Sequence, residues 1–103
     1  MKIIMSERCR LEWNNFLDYC LINYGKTVTE KKRANFQQII RRLSAFPEIG
    51  FIEPLLKHTG KKYRAIIFDK KYKFIYRIEN EIIMIEYFWK SYSNPDILKY
   101  GLA

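Results

Sequence analysis

Residues 63–89 read YRAIIFDKKYKFIYRIENEIIMIEYFW, and this stretch decides the fold. Tyr63–Phe68, residues 72–78 and residues 82–89 are rich in β-branched and aromatic side chains. Such side chains suit a pleated, half-buried surface. Between the runs stand Asp69-Lys70-Lys71 and Glu79-Asn80-Glu81, short enough for hairpin turns. The spacing predicts an antiparallel meander of three strands. Its last strand is apolar on both faces, because Ile83, Ile85, Tyr87 and Trp89 alternate with Ile82, Met84 and Phe88. One face packs on the rest of the domain. The other needs a cover, either from this chain's own helices and tail or from a partner segment.

Working outward toward the N-terminus, residues 51–57 read as an edge strand, since Pro54 cannot donate to a ladder on both sides. Two helices precede it. Ser6 offers an N-cap, and Glu7 sits where the helix dipole favours an acid. Cys9, Trp13, Phe16, Leu17, Cys20, Leu21 and Tyr24 then recur at helical spacing, and Gly25 closes the helix. Thr27-Val28-Thr29-Glu30 has the form of a capping box. It opens a second helix that runs to about Ala45, with Phe36, Ile39, Ile40 and Leu43 inward. Lys31, Lys32, Arg33, Gln37, Gln38, Arg41 and Arg42 form its outer face. Pro47 stops this helix and Gly50 permits the turn into extended chain. Two such helices form an αα-hairpin. Lys2–Met5 reads as a first strand, and Asn94-Pro95-Asp96 could start a short final helix. The order is β-αα-ββββ. The fold class is α+β, a helical hairpin packed on one face of an antiparallel sheet.

The 103 residues, 1–103, fit a single domain. With 17% aromatic residues the chain can offset its ordering entropy, which excludes a disordered class. Cys9 and Cys20 share one helix, ~16 Å apart at ~1.5 Å per residue. A disulfide needs Cα atoms within ~7 Å, so these thiols stay reduced, as suits a cytoplasmic protein. The apolar start at residues 1–5 is too short for a signal peptide, and no run approaches the ~20 apolar residues of a membrane span. No membrane contact is expected.

The formal net charge is +8, which calls for an acidic partner such as nucleic acid or an acidic protein segment. The excess is local. Residues 57–77 hold eight basic side chains against Asp69 alone, a local charge of +7. Tyr63, Tyr72 and Tyr76 interleave with them, and cations beside aromatic rings suit single-stranded nucleic acid. Lys70 and Lys71 read as solvated turn residues. Arg64 and Arg77 lie inside strands, and Arg64 is the first candidate for a functional cation. The structural alternative is a strand-face salt bridge from Arg64 to Glu86. His58 is the only histidine and neighbours Lys57, Lys61 and Lys62. A neutral imidazole beside phosphate could act as a general base, though a turn histidine is more often simply exposed. One histidine, two separated cysteines and scattered carboxylates give no metal-ligand cluster. No glycine-rich phosphate loop, nucleophile elbow or dinucleotide fingerprint is present, so no cofactor is expected.

Four stretches in order resemble the RelE/ParE toxins. The first is the helix of residues 13–24, beginning W-x-x-x-L-D-Y from Trp13 to Tyr19. The second is residues 40–50, I-R-R-L-S-A-F-P-E-I-G. The third is the strand pair around Tyr63-Arg64-Ala65-Ile66-Ile67 and residues 72–78, Y-K-F-I-Y-R-I. The fourth is residues 82–95, I-I-M-I-E-Y-F-W-K-S-Y-S-N-P. Each motif alone is weak; their order and spacing together are specific and span nearly the whole chain. The resemblance implies the β-αα-ββββ plan and the toxin half of a type II toxin–antitoxin system. Such a toxin is wrapped by an acidic segment of a cognate antitoxin in a hetero-oligomer. RelE-like members cut messenger RNA on the ribosome without metal, whereas ParE-like members inhibit DNA gyrase without chemistry. A cutting toxin needs a proton acceptor for the 2′-hydroxyl, cations for the pentavalent phosphate and an acid for the leaving oxygen. By resemblance Arg64, Lys61, Lys62, Tyr92 and His58 are the candidates for such a site. Lys57, Lys73, Arg77 and Lys90 are candidates for nucleic-acid contact. Relatives often read F-W-x-x-R where this chain carries Tyr92 in place of the arginine; a tyrosine there could donate a proton or stack on a base. A reading from charge alone, a non-toxic RNA-binding module, explains the element order poorly. The mRNA-cutting toxin is the leading expectation, with the gyrase inhibitor as the alternative.

Overall fold

A computed structural model describes residues 1–90. Strand β1 (Lys2–Met5) leads into α1 (Glu7–Tyr24) and α2 (Lys26–Ala45). Then come β2 (Phe51–Ile52), a 3-10 helix at Pro54–Thr59, β3 (Tyr63–Phe68), β4 (Tyr72–Glu79) and β5 (Ile82–Lys90). The sheet order is β1-β5-β4-β3-β2; β1 runs parallel to β5 and the other neighbours are antiparallel. This is the expected α+β plan. The final helix expected at Asn94-Pro95-Asp96 lies outside the described residues.

Ser6 caps α1 as expected, its Oγ accepting the Cys9 N–H at 3.1 Å. Gly25, at φ 86°, does two jobs. Its N–H closes α1 on the Cys20 and Leu21 carbonyls, and its own carbonyl accepts the Thr29 N–H inside α2. One glycine in the left-handed region therefore replaces a loop. The expected capping box is not used, because α2 already begins at Lys26 and the Thr29 hydroxyl donates back to the Gly25 carbonyl. The apolar stripe of α1 is also shorter than its spacing suggests. Cys9, Trp13, Leu17 and Cys20 are buried, while Leu21 and Tyr24 are exposed. Leu21 lies at the margin of the apolar arc, and Tyr24 falls in the last turn, where the helix has outrun the core.

The expected strand over residues 51–57 is a two-residue strand and a 3-10 helix instead. Its last ladder bond runs from the Glu53 N–H to the Tyr63 carbonyl at 2.9 Å. Pro54 then stands in the first turn of the 3-10 helix, where its fixed φ and missing N–H do no harm.

The main core fills the space between the helices and the sheet. Trp13 is its hub, with the rings of Phe16, Phe36, Phe68, Phe74 and Phe88 centred 4.9–5.7 Å away. Well-oriented ring pairs contribute about 0.5–1.5 kcal/mol each beyond the area they bury.

Strand β5 does not keep strict alternation. Ile75 pairs with Tyr87 and Tyr76 with Ile85, so Glu86 is an extra residue opposite the step between them. Such a β-bulge reverses which side chains face inward. Ile83 and Ile85 face the helices before it, and Phe88 faces them after it. Tyr87 and Trp89 pass to the opposite face, where Trp89 is buried with Leu56, Tyr63, Ala65 and Ile75. The second apolar face thus has a cover of its own over part of its area, the 3-10 helix acting through Leu56.

Candidate functional site

The sequence F-P-E-I-G between α2 and β2 forms a tight joint. The Tyr76 hydroxyl accepts the Gly50 N–H at 2.9 Å and donates to the Pro47 carbonyl at 2.7 Å. A Cβ on Gly50 would meet the Ala65 carbonyl oxygen at 2.7 Å and the Tyr76 ring at 2.8 Å, so only glycine fits. Arg64 braces the same joint from β3, its Nη1 donating to the carbonyls of Gly50 at 2.8 Å and Glu48 at 3.2 Å. The suggested pairing of Arg64 with Glu86 is absent, because the two side chains lie on opposite faces of the sheet. Beside the joint, Lys62 and Arg64 share a cleft of about 460 Å³ with Pro47, Glu48 and Ile78.

Glu86 serves the other face. Its carboxylate accepts the Tyr63 hydroxyl at 2.8 Å and the Arg77 Nε at 2.7 Å. Arg77 also pairs with Glu79. Burial, and then the bond to Glu86, pushes the Tyr63 phenol up to about 12. The Glu86 hydrogen bond holds the Arg77 guanidinium above its ordinary range. The bulge gives Glu86 a second role, since its carbonyl accepts the Ser6 hydroxyl and ties β5 to the start of α1. Deeper on this face, the enclosed carboxylate of Glu53 pairs with Lys73. Among the described residues, no hydrogen bond reaches the second Glu53 oxygen.

The remaining cations cluster around the 3-10 helix. Lys57 and His58 are exposed on it, and Lys61 and Lys62 are exposed just after it. Gly60, at φ 75°, ends the helix and turns the chain toward β3. Lys90 lies over the Tyr72 ring, 5.9 Å from its centre. Tyr92 lies outside the described residues.

The structure therefore divides the expected site. Lys62 and Arg64 come together in one cleft, while Lys57, His58 and Lys61 line an exposed turn. Lys73 and Arg77 stand on the opposite face with carboxylate partners. Glu86, Glu53 and Tyr63 were not singled out from the sequence as site residues. One signal for Glu86 was available: a lone carboxylate inside the apolar run I-I-M-I-E-Y-F-W. The Cys9 thiol is pushed up to about 12 by burial and by the nearby Glu12, which leaves it unreactive near neutral pH. Among the described residues no three histidine, cysteine or acidic side chains group as metal ligands, and no helix is long and apolar enough to cross a membrane.

No protein-family model matches the sequence, and no curated protein does. Among solved structures, the chain is similar to one from the chromosomal ParDE TA system from P. aeruginosa. The TM-score is 0.70 at 13% sequence identity, over 87% of this chain and 95% of that one. At this identity the likeness establishes a shared fold.

Proposed function

We propose that this chain is the toxin of a toxin–antitoxin pair, held inactive by an acidic antitoxin. The fold likeness to a ParDE chain along most of both lengths carries this reading. The net charge of +8 agrees with it, because the excess needs an acidic partner.

For the toxic act, the geometry favours binding to a target over cutting RNA. Arg64, Lys73 and Arg77 are strand cations that a nuclease could turn toward a phosphate. All three are held by internal acceptors. The exposed group of Lys57, His58, Lys61 and Lys62 is better suited to docking on an acidic protein surface, and a gyrase is the target that the ParE-like alternative would require. One observation favours the second reading, ribosome-dependent cleavage of messenger RNA. Tyr63, Glu86 and Arg77 place a phenol, a carboxylate and a guanidinium within hydrogen-bond reach, which are the group types of acid–base catalysis.

The deciding experiment is induction in a bacterial host with pulse-labelling of protein and DNA synthesis. DNA synthesis stopping first, with gyrase-linked breaks, supports the binding toxin. Translation stopping first, with messages cut within codons, supports the nuclease and overturns the binding reading. Growth unaffected by soluble, folded protein overturns the toxin reading itself.

A further inference from the structure

Two segments carry the positive charge of this chain. Residues 57–77 hold +7, and residues 26–45 hold +5, from six cations against Glu30 alone. The rest of the chain is net negative. The second segment is the whole of α2. At ~3.6 residues per turn, Lys31, Asn35, Gln38 and Arg42 fall on one line of this helix. The line lies away from the buried Thr29, Ile39 and Leu43. All four of its residues are exposed, and so is Arg41 beside them. Lys32 and Arg33 are already engaged, by Asp69 and Glu30. Among the described residues, Lys31, Arg41 and Arg42 have no carboxylate partner.

The same face is bare of large apolar groups. Among the described residues, the large exposed apolar side chains lie at Met1, on α1, around the α2–β2 joint, and on β2 and β3; none lies on α2. A protein partner needs a desolvated apolar centre, usually with aromatic anchors, and this face offers only Ala34 and Ala45. A single strand of nucleic acid needs rings to stack on, and the face has none. A duplex needs neither. Its phosphates take cations and release counterions, and its base edges pair with amides. Width then selects the form of duplex. Lys31 and Arg42 stand ~16 Å apart at a rise of ~1.5 Å per residue. The major groove of B-DNA, ~12 Å wide, admits a helix. That of A-form RNA is too narrow for side chains to read.

We propose that the exposed face of α2 binds double-stranded DNA, entering the major groove at an angle. Lys31 and Arg42 take phosphates on the two walls, and Arg41 takes a third. The amides of Asn35 and Gln38 face the base edges between them. This surface is made of different residues from the exposed turn at Lys57, His58, Lys61 and Lys62. It does not rest on the toxin reading, since a chain without toxicity would still bind.

The test is a titration of a fluorescein-labelled, mixed-sequence DNA duplex two helical turns long with the full chain, read by anisotropy at several salt concentrations. The expected Kd is about 1–100 μM near physiological salt, the range of non-specific duplex binding. Lys31→Gln, Arg41→Gln and Arg42→Gln together should weaken binding at least about tenfold and reduce the salt slope by about three, about one for each phosphate lost. Glutamine is a good helix former, so α2 is kept, and circular dichroism checks it. If the triple variant is disturbed, Arg42→Gln alone should reduce the slope by about one. The charge-matched control Arg10→Gln, Lys70→Gln and Lys71→Gln should stay within about twofold of the parent. In the ¹⁵N spectrum of the chain, the side-chain amides of Asn35 and Gln38 should shift as duplex is added. Equal losses in the two triple variants overturn the proposal, because the attraction is then a diffuse field. So do shifts confined to residues 57–62, equal affinity for a single strand or an RNA duplex of the same sequence, or no binding at all. Polyglutamate held on this face as tightly as the duplex would make the partner an acidic protein and overturn it as well.

Discussion

The two faces of the sheet are built on different principles. The helix side is a ring cluster around Trp13, tied at one end by the uncharged pin Tyr76. The opposite side holds a smaller apolar patch under Leu56, framed by the ion pairs of Glu53 with Lys73 and of Glu86 with Arg77. Burying rings gives stability that is insensitive to partner or pH. Burying ions gives little net stability and defines geometry at best. The helix face therefore makes the fold, and the opposite face carries the groups with chemical options.

The largest expected effect tests the first half of that contrast. Trp13→Ala removes a side chain in contact with five other rings and should lower unfolding stability by about 3–5 kcal/mol, the range for large aromatic truncations in a core. Chemical denaturation measures it. A loss below about 1 kcal/mol would mean the cluster is not the structural hub.

Glu53→Gln tests the other face and should come next. It leaves Lys73 without its counter-charge in a mostly enclosed site, and the expected loss is about 2–4 kcal/mol. The informative control is Glu53→Leu combined with Lys73→Met. Replacing a buried ion pair by apolar groups of similar size is often neutral or stabilising. If the double variant is as unstable as the single one, the pair is a source of stability and the contrast between faces weakens.

Tyr76→Phe is expected to be intermediate, about 1–3 kcal/mol, because it strands the buried Gly50 N–H. Arg64→Ala should have a similar effect through the carbonyls of Glu48 and Gly50. Toxicity measurements on Arg64 variants therefore need a parallel stability curve. A loss of toxicity with unchanged stability would restore Arg64 as a functional cation.

These residues also show what the sequence could and could not reveal. The element order, both helices and the three-strand meander were legible because each rests on local periodicity and turn chemistry. The turn at Asn80-Glu81 is one example: two residues at positive φ join Glu79 to Ile82, as a tight hairpin requires. The bulge at Glu86 was not legible, since an extra residue is set by pairing across strands and leaves no mark in spacing. Missing it placed Tyr87 and Trp89 on the face of Ile83 and Ile85. The partner of Arg64 was hidden for a related reason. An arginine's acceptors here are main-chain carbonyls, which every residue carries, so composition cannot point to them. The charge excess in residues 57–77 was visible, but its division between the two faces of the sheet and two exposed turns depends on tertiary folding.

Glu12 gives the smallest effect and the one that depends on pH. Burial raises its carboxyl above the ordinary carboxylate range, against the lowering effects of the Phe88 N–H and Arg8. The folded chain then holds the Glu12 proton more tightly than the unfolded chain does. This contribution to stability is fully present below the unfolded pKa and is lost as pH rises through the folded one. Glu12→Gln keeps an oxygen for the Phe88 N–H and removes the charge. Its stability should exceed that of the parent chain at neutral pH by less than about 1 kcal/mol and converge with it in acid. Parallel stability curves from about pH 4 to about pH 8 would contradict this. They would mean that Glu12 is well solvated as an anion, and hence that its bond to the Phe88 N–H at the β5 edge is made without a desolvation cost.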